Sequence, residues 1–400
     1  MSRILVWSPN YAPEPTGIPP LVTDASDWLA ARGHEVTVVT AVPNYPERCV
    51  ARGYRGLAGT TERRGDVRVH RSWLRVRPGE SFADKLLYEL SFATLSLPHA
   101  LRELPRCEVV VCVVPSLIAA AYAAVLRRLL ARRRLVLWVQ DLVLLAAAVI
   151  DARPRRARQL LALAARAERL ALGAADRVVV CSPGFRAYLI RLGADERRIE
   201  TVYNWVDADW IAPLPPRARA EGESIRLLYA GNLGYTQGFE TLVDAGRELD
   251  GEVEIEIVGD GNAAAHVRAL ARGTANVRVR PPVPRAEFPG LLASADAHVV
   301  LQRSVGAGAN FPSKIASYLA SGRPIIASMS QNSTAAETLR SSGAALLVPP
   351  EEPVALAEAM RRLRREPALR EELGRRAREF ALRTFERSAA LTRLEATLLR

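Results

Sequence analysis

Lysine is almost missing from this chain. Of its 55 cationic residues only Lys85 and Lys314 are lysines, so the formal charge of +12 is carried by arginine. Aromatic residues are also scarce, 6% of 400. The arginines are spread along helical patterns such as LRRLLARRRL and are not interleaved with rings, which leaves no base-stacking platform and argues against a specific nucleic-acid partner. The cysteines, Cys49, Cys107, Cys112 and Cys181, contain no CxxC pair and read as buried free thiols in a reducing, cytoplasmic compartment. The N-terminus runs straight into the strand RILVWS, without the basic region and apolar stretch of an export signal. The histidines His34, His70, His99, His266 and His298 show neither HExxH nor paired-ligand spacing, and neither GxSxG nor a cysteine nucleophile is visible. Metal ligation and covalent-nucleophile chemistry therefore lack a sequence basis, and neither a metal nor another cofactor is expected.

Long apolar runs are equally rare. VVVCVVPSLIAAAYAAVL (109–126) is uncharged and near bilayer length. Pro115 and Ser116 interrupt it, with β-branched residues before the break and alanine and leucine after, so it predicts strand, turn and buried helix. KLLYELSFATLSLPHALREL (85–104) is amphipathic and admits two readings: a helix packed on a core, or peripheral contact with the cytoplasmic face of the inner membrane.

What is present is a soluble globular composition, 49% hydrophobic and 24% charged. At about 150 residues per domain the length suggests two or three domains. The positive balance points to anionic partners: nucleic acid, anionic lipid, or nucleotide and diphosphate substrates. Valine-rich runs (RILVWS, HEVTVVTA, VRVHRSWL, EVVVCVV, RLVLWVQD, RVVVCS) alternate with helical stretches, which indicates a parallel sheet covered on both faces. After a proline-rich stretch the pattern begins again at IRLLYAGNLG. The expected architecture is α/β: a Rossmann-like domain over 1–205, a linker over 206–224, a second Rossmann-like domain over 225–383, and a helix over 384–400 free to return to the first domain.

Ligands of such sheets sit beyond the carboxyl ends of the strands, so the loops that follow strands matter most. SPNYAPEPTGIPP is stiffened by prolines, and its Gly17 permits a close approach. YAGNLGYTQGFETLVDA (229–245) is a strand, a glycine turn and a helix, with Gly231, Gly234 and Gly238 leaving backbone amides open to an anion. IVGDGNAA, with Asp260 and Gly261, adds a second turn on the same rim. Neither has the spacing of a dinucleotide fingerprint. NFPSKIASYLASGRPIIAS supplies a third loop, with Pro312 in a first helical turn and Ser313 and Lys314 at its start. A compact lysine where arginine is the rule suits a phosphate oxygen in a glycine-lined site. A surface helix start would accept a lysine too. Together the three loops describe a nucleotide diphosphate site. VDADW (206–210) contains Asp-x-Asp, but at the linker and not after a central strand, so no metal role is assigned to it.

These residues resemble the retaining glycosyltransferases of family 4, of GT-B fold, and within them the subgroup that extends bacterial capsule, colanic-acid and O-antigen chains on lipid carriers. YAPEPTGI, WLAARGHEVTVVTAVPNYP, RGYRG, YELSFATLSLP, WVQD, YNWVD, YAGNLGYTQG, IVGDG, the LQR segment, PSKIASYLASGRPIIAS and ALLVPPEEP carry the resemblance across nearly the whole chain. It implies a nucleotide-sugar donor, UDP-linked by expectation, on the second domain and a glycan or lipid-linked acceptor on the first. Gly17 would lie near the donor phosphates and Asp141 would face the transferred sugar. Asn232 and Gln237 stand where many relatives carry an arginine and a lysine for the diphosphate, which leaves Lys314 as the cation for the leaving phosphate and Arg303 as a second. Gly234, Gly238, Asp260, Gly261, Val283, Pro312, Ser313 and Ser317 complete the expected donor contacts. Two family glutamates fall on Ala309 and Ser317, so ribose contact passes to Ser317 or backbone, with Glu337 as a substitute. Apolar residues follow Asp141 where relatives place a proline or an acid. The implied chemistry is front-side transfer in which the departing diphosphate assists the acceptor hydroxyl. A non-catalytic GT-B protein that assembles a polysaccharide complex is the alternative.

Overall fold

The computed structural model describes residues 1–45, 47–56, 59–77, 82–129, 133–142, 155–215, 223–305 and 311–400. Ala309 and the apolar run after Leu142 lie outside them. The chain divides into two units, Met1–Tyr203 with Ser388–Arg400, and Asn204–Arg387.

In the first unit the strands β1 (Arg3–Trp7), β2 (Glu35–Ala41), β3 (Gly59–Arg64), β4 (Val67–Ser72), β5 (Val109–Val114), β6 (Arg134–Val139), β7 (Arg177–Val180) and β8 (Ile199–Thr201) form one sheet in the order β3-β4-β2-β1-β5-β6-β7-β8. Neighbours pair in parallel except at the β3–β4 edge. All six residues of β5 are buried, the pattern of a strand with helices on both faces. The run from 109 to 126 is thus β5 followed by the start of a helix, Leu117–Leu129. Among the described residues no helix is long and apolar enough to cross a membrane. The helix Phe82–Glu103 buries Phe92, Ala93, Ser96 and Ala100, and Trp7 Nε1 donates to Ser96 Oγ at 2.8 Å, tying it to β1. Its opposite side shows Leu87, Leu90, Leu95 and Leu101 to solvent. Burying a ring such as Phe92 contributes about 1.5–3 kcal/mol.

The C-terminal helix Arg387–Leu399 joins this unit almost entirely. Its Glu395 accepts from Trp28 Nε1 at 3.1 Å, pairs with Arg32 Nε at 2.6 Å and lies 3.2 Å from His34 Nε2. Cys107, Cys112 and Cys181 are buried free thiols, but Cys49 is exposed, a departure from the sequence expectation.

The second unit holds six parallel strands, β9 (Ile225–Ala230), β10 (Val253–Val258), β11 (Val277–Arg280), β12 (Ala297–Leu301), β13 (Ile325–Ser328) and β14 (Ala345–Val348), in the order β11-β10-β9-β12-β13-β14. This is the 3-2-1-4-5-6 order of a doubly wound nucleotide-binding sheet. The stretch after Asn204 is fastened to this unit: Val206 N–H donates to Phe385 O at 2.9 Å, and Arg378 donates to Ile211 O and Ala320 O at 2.8 Å each. Asp207 of VDADW accepts from Trp210 N–H at 2.9 Å, a turn-forming bond. Residues 216–222, in the expected linker, are outside the described set.

Candidate functional site

Sheet order in the second unit reverses between β9 and β12, so a crevice is expected beyond the C-terminal ends of those strands. β9 ends at Ala230, and the next residue, Gly231, has φ 143°. A Cβ there would meet Lys314 Nζ at 3.2 Å, so glycine lets the ammonium lie against the backbone. That ammonium sits 3.5 Å from the centroid of the Tyr229 ring. It is covered from solvent and has no hydrogen-bond partner among the described residues. Burial, with no counter-charge among the described residues, lowers the Lys314 pKa to about 7.

Two tyrosines fix this arrangement. Tyr229 Oη donates to Asn232 O at 2.8 Å, folding the turn back over its own strand. Tyr318, one helical turn after Lys314, accepts from Ala230 N–H at 2.7 Å and donates to Ala230 O at 3.0 Å. It pins the helix Lys314–Ala320 to the end of β9. Sequence reading missed Tyr318; its signal was the i, i+4 spacing that puts it on the same helix face as Lys314.

The two glycine turns interlock. Gly231 N–H donates to Val258 O at 2.9 Å, Leu233 N–H to Asp260 O at 2.9 Å, and Ala263 N–H to Leu233 O at 2.8 Å. At Gly259 a Cβ would fall 1.9 Å from Gly231 O, which no side chain tolerates. Gln237 Oε1 accepts from Gly234 N–H at 3.0 Å, so this neutral residue shapes the turn from within. Asn232 Oδ1 reaches 2.6 Å from where a Gly261 Cβ would be, placing Asn232 between the two turns. Asp260 is exposed and holds Gly261 N–H at 2.9 Å.

Arg303, expected as a second cation for the diphosphate, is engaged elsewhere. Its Nε donates to Tyr235 O at 2.9 Å, and its terminal nitrogens pair with Glu351 at 3.1 Å and Glu240 at 2.6 Å. Two carboxylates match its one charge, and its stem packs on Gly238, the left-handed residue before the helix Phe239–Arg247. Arg303 braces the turn, whereas Lys314 has no hydrogen-bond partner among the described residues. The helix begins at Lys314, so Pro312 precedes it and does not occupy its first turn as expected; Pro312 O accepts from Ile315 N–H at 3.1 Å. Ser313 is exposed, Ser317 is half-buried one turn beyond Lys314, and Val283 is half-buried in the loop after β11. Glu337 is exposed on the helix Thr334–Ser342.

Gly17 and Asp141 belong to the first unit. Gly17 precedes the helix Ile18–Ala31 with φ 80°. Asp141 follows β6; its side chain reaches solvent, yet the surrounding protein crowds the carboxyl and burial pushes it up to about 6. The proline-rich loop between β1 and Gly17 is organised by Glu14, which sequence reading did not single out. Its buried carboxylate accepts from Asn44 N–H at 2.8 Å, Tyr45 N–H at 2.9 Å and Asn10 Nδ2 at 3.1 Å. Burial raises its pKa even against those three bonds. An acid between two prolines was the available clue.

Comparison with known proteins gives a consistent picture. Residues 16–205 match the family model described as a glycosyl transferase 4-like domain, and residues 224–366 the model described as glycosyl transferases group 1. The putative colanic acid biosynthesis glycosyl transferase WcaI of Escherichia coli K12 is 31% identical over 406 aligned positions, covering 97% of this chain and 98% of WcaI. Sucrose-phosphate synthase from Thermosynechococcus elongatus superposes with a TM-score of 0.75 at 18% identity, covering 99% of this chain and 98% of that one. Anabaena HepE in complex with UDP and glucose gives 0.71 at 17% identity, covering 100% and 99%. These structural likenesses show the fold, GT-B.

Proposed function

The chain belongs to the glycosyltransferases that join a 4-like domain to a group 1 domain in a GT-B fold, and from that membership we propose a retaining enzyme of bacterial surface polysaccharide synthesis. It moves a hexosyl or N-acetylhexosaminyl group from a UDP-sugar to a lipid-linked saccharide. The anomeric carbon–oxygen bond to the diphosphate breaks, the acceptor oxygen takes its place on the same face, and the acceptor proton passes to the departing phosphate. Charge on the leaving diphosphate is then the main thing to stabilise. The carrying observation is Lys314, an ammonium with no hydrogen-bond partner among the described residues, beside two interlocked glycine turns. The kinship to a colanic acid transferase supports the polysaccharide role, and the UDP held by a protein of the same fold supports the nucleotide.

Lipid-linked acceptors would place the enzyme on the cytoplasmic face of the membrane. The exposed leucines of the helix Phe82–Glu103, with Lys85 and Arg102, supply an apolar and cationic face for peripheral contact. The test is thermal stabilisation by UDP and a panel of UDP-sugars, since a ligand of the folded state raises the melting temperature. A rise with UDP is expected, and its absence would overturn the reading. UDP binding without transfer or donor hydrolysis would favour the assembly-protein alternative, which the serine at 317 motivates.

A further inference from the structure

Glu351, in the loop that follows β14, has a left-handed backbone with φ 63°. Among the described residues Arg48, with φ 50°, is the other non-glycine residue in that region. A residue that carries a Cβ is strained there. The side chain is exposed, yet both carboxylate oxygens are engaged: Oε1 accepts from Arg303 Nη1 at 3.1 Å and Oε2 from Ser304 Oγ at 2.8 Å. Both donors belong to the loop after β12.

Arg303 carries this contact onward to the glycine turn between β9 and the helix Phe239–Arg247. Its backbone N–H donates to Thr236 O at 2.9 Å, its Nε donates to Tyr235 O at 2.9 Å, and its Cγ lies 3.2 Å from where a Gly238 Cβ would be. Glu240, in the first turn of that helix, takes the other end of the guanidinium at 2.6 Å. The loops after β9, β12 and β14 are thus tied together through one side chain. Stability does not account for the arrangement. An exposed ion pair contributes little once side-chain entropy and screening are counted, less than a left-handed backbone costs a residue with a Cβ. Such strain persists where contacts over-determine a conformation, and it collects at sites that must keep one geometry. The geometry kept here is that of the turn whose first glycine, Gly231, has the Lys314 ammonium against it.

We infer that Glu351 is a positioning residue: through Arg303 it holds the turn from Gly231 to Gly238 in the shape that receives the donor diphosphate. This deepens the glycosyltransferase reading and rests on it for the ligand, whereas the order of the turn is measurable without one. The sign of the effect separates position from charge. By charge alone, removing an acid near an anion site strengthens anion binding; removing a strut weakens it, because the turn must then be ordered when the ligand arrives.

Glu351→Gly and Glu351→Gln in the full chain, compared with wild type by thermal melting, UDP calorimetry and hydrogen exchange, test it. Glycine relieves the backbone strain and deletes the strut, so Glu351→Gly should melt near wild type. Amides from Gly231 to Gly238 should nevertheless exchange at least about threefold faster in that variant, and UDP should bind at least about threefold more weakly. Glu351→Gln loses the same charge but still reaches Arg303 and Ser304 with a hydrogen-bonding group, so it should fall between wild type and the glycine variant in both readouts. Unchanged exchange in the turn of Glu351→Gly, or UDP affinity equal to or above that of wild type, overturns the role. Wild type that does not bind UDP overturns the glycosyltransferase reading, and exchange in the turn then judges the strut by itself: faster in Glu351→Gly supports it, unchanged overturns it.

Discussion

The ammonium of Lys314 lies over the face of the Tyr229 ring, 3.5 Å from its centroid, and no described residue offers it a hydrogen bond. A desolvated cation–π contact is worth about 2 kcal/mol, whereas an unpaired buried charge is so costly that the group shifts its pKa instead. Among the described residues no anionic group answers this charge. Tyr229 Oη fastens the same ring to Asn232 O, so the cation and the glycine turn are held as one piece.

Lys314→Met should stabilise the ligand-free protein while weakening UDP binding. The folded pKa is near 7 against an ordinary 10.5, so below pH 7 the wild type carries a buried charge that the variant lacks. Between those two values the folded wild type has lost a proton that the unfolded chain keeps, and wild-type stability rises with pH. The melting temperature of Lys314→Met should exceed that of wild type most below pH 7, with the margin shrinking toward pH 10.5. Calorimetry should show UDP binding weakened at least about tenfold in the variant, as expected for loss of a charge-assisted contact. Equal UDP affinity would remove Lys314 from the site.

The glycine turns were legible because their cause is local: a strand end, a glycine and a following helix are contiguous in the chain. So were the parallel sheets, from valine-rich runs such as β5. The edge strand β3, GTTERR, was not, because its side chains are mostly exposed and polar and it is a strand only by pairing with β4. The fate of Arg303 was equally hidden. Its carboxylate partners Glu240 and Glu351 lie 63 and 48 residues away, and nothing near Arg303 in sequence shows that its charge is already matched. Patterns reveal backbones, but which charges remain unspent depends on distant partners.

Glu395→Gln should loosen the C-terminal helix from the first unit. Burial would raise this carboxyl, but bonds from Arg32, His34 and Trp28 outweigh burial and leave it below the ordinary 4.5. Such a group adds stability above its unfolded pKa, and that share is lost as pH falls through the lowered folded value. Replacing the charge should cost about 2 kcal/mol at pH 7, the scale of charge-assisted hydrogen bonds. Denaturant melts of both proteins should converge as pH falls below the lowered folded value, where wild type is protonated as well. A constant difference across that range would mean that packing, not charge, holds the helix.

Glu89→Gln should behave in the opposite sense. The wild-type carboxyl keeps its proton to about pH 8 in the folded protein, whereas the unfolded chain releases it near 4.5. Across that window the unfolded state binds fewer protons than the folded one, so this residue makes wild type less stable as pH rises. Glutamine is uncharged throughout and close in shape, so the variant should melt near wild type at pH 4.5 and clearly above it at pH 8. A residue selected only to hold the fold together would give the reverse, a variant that is weaker at every pH.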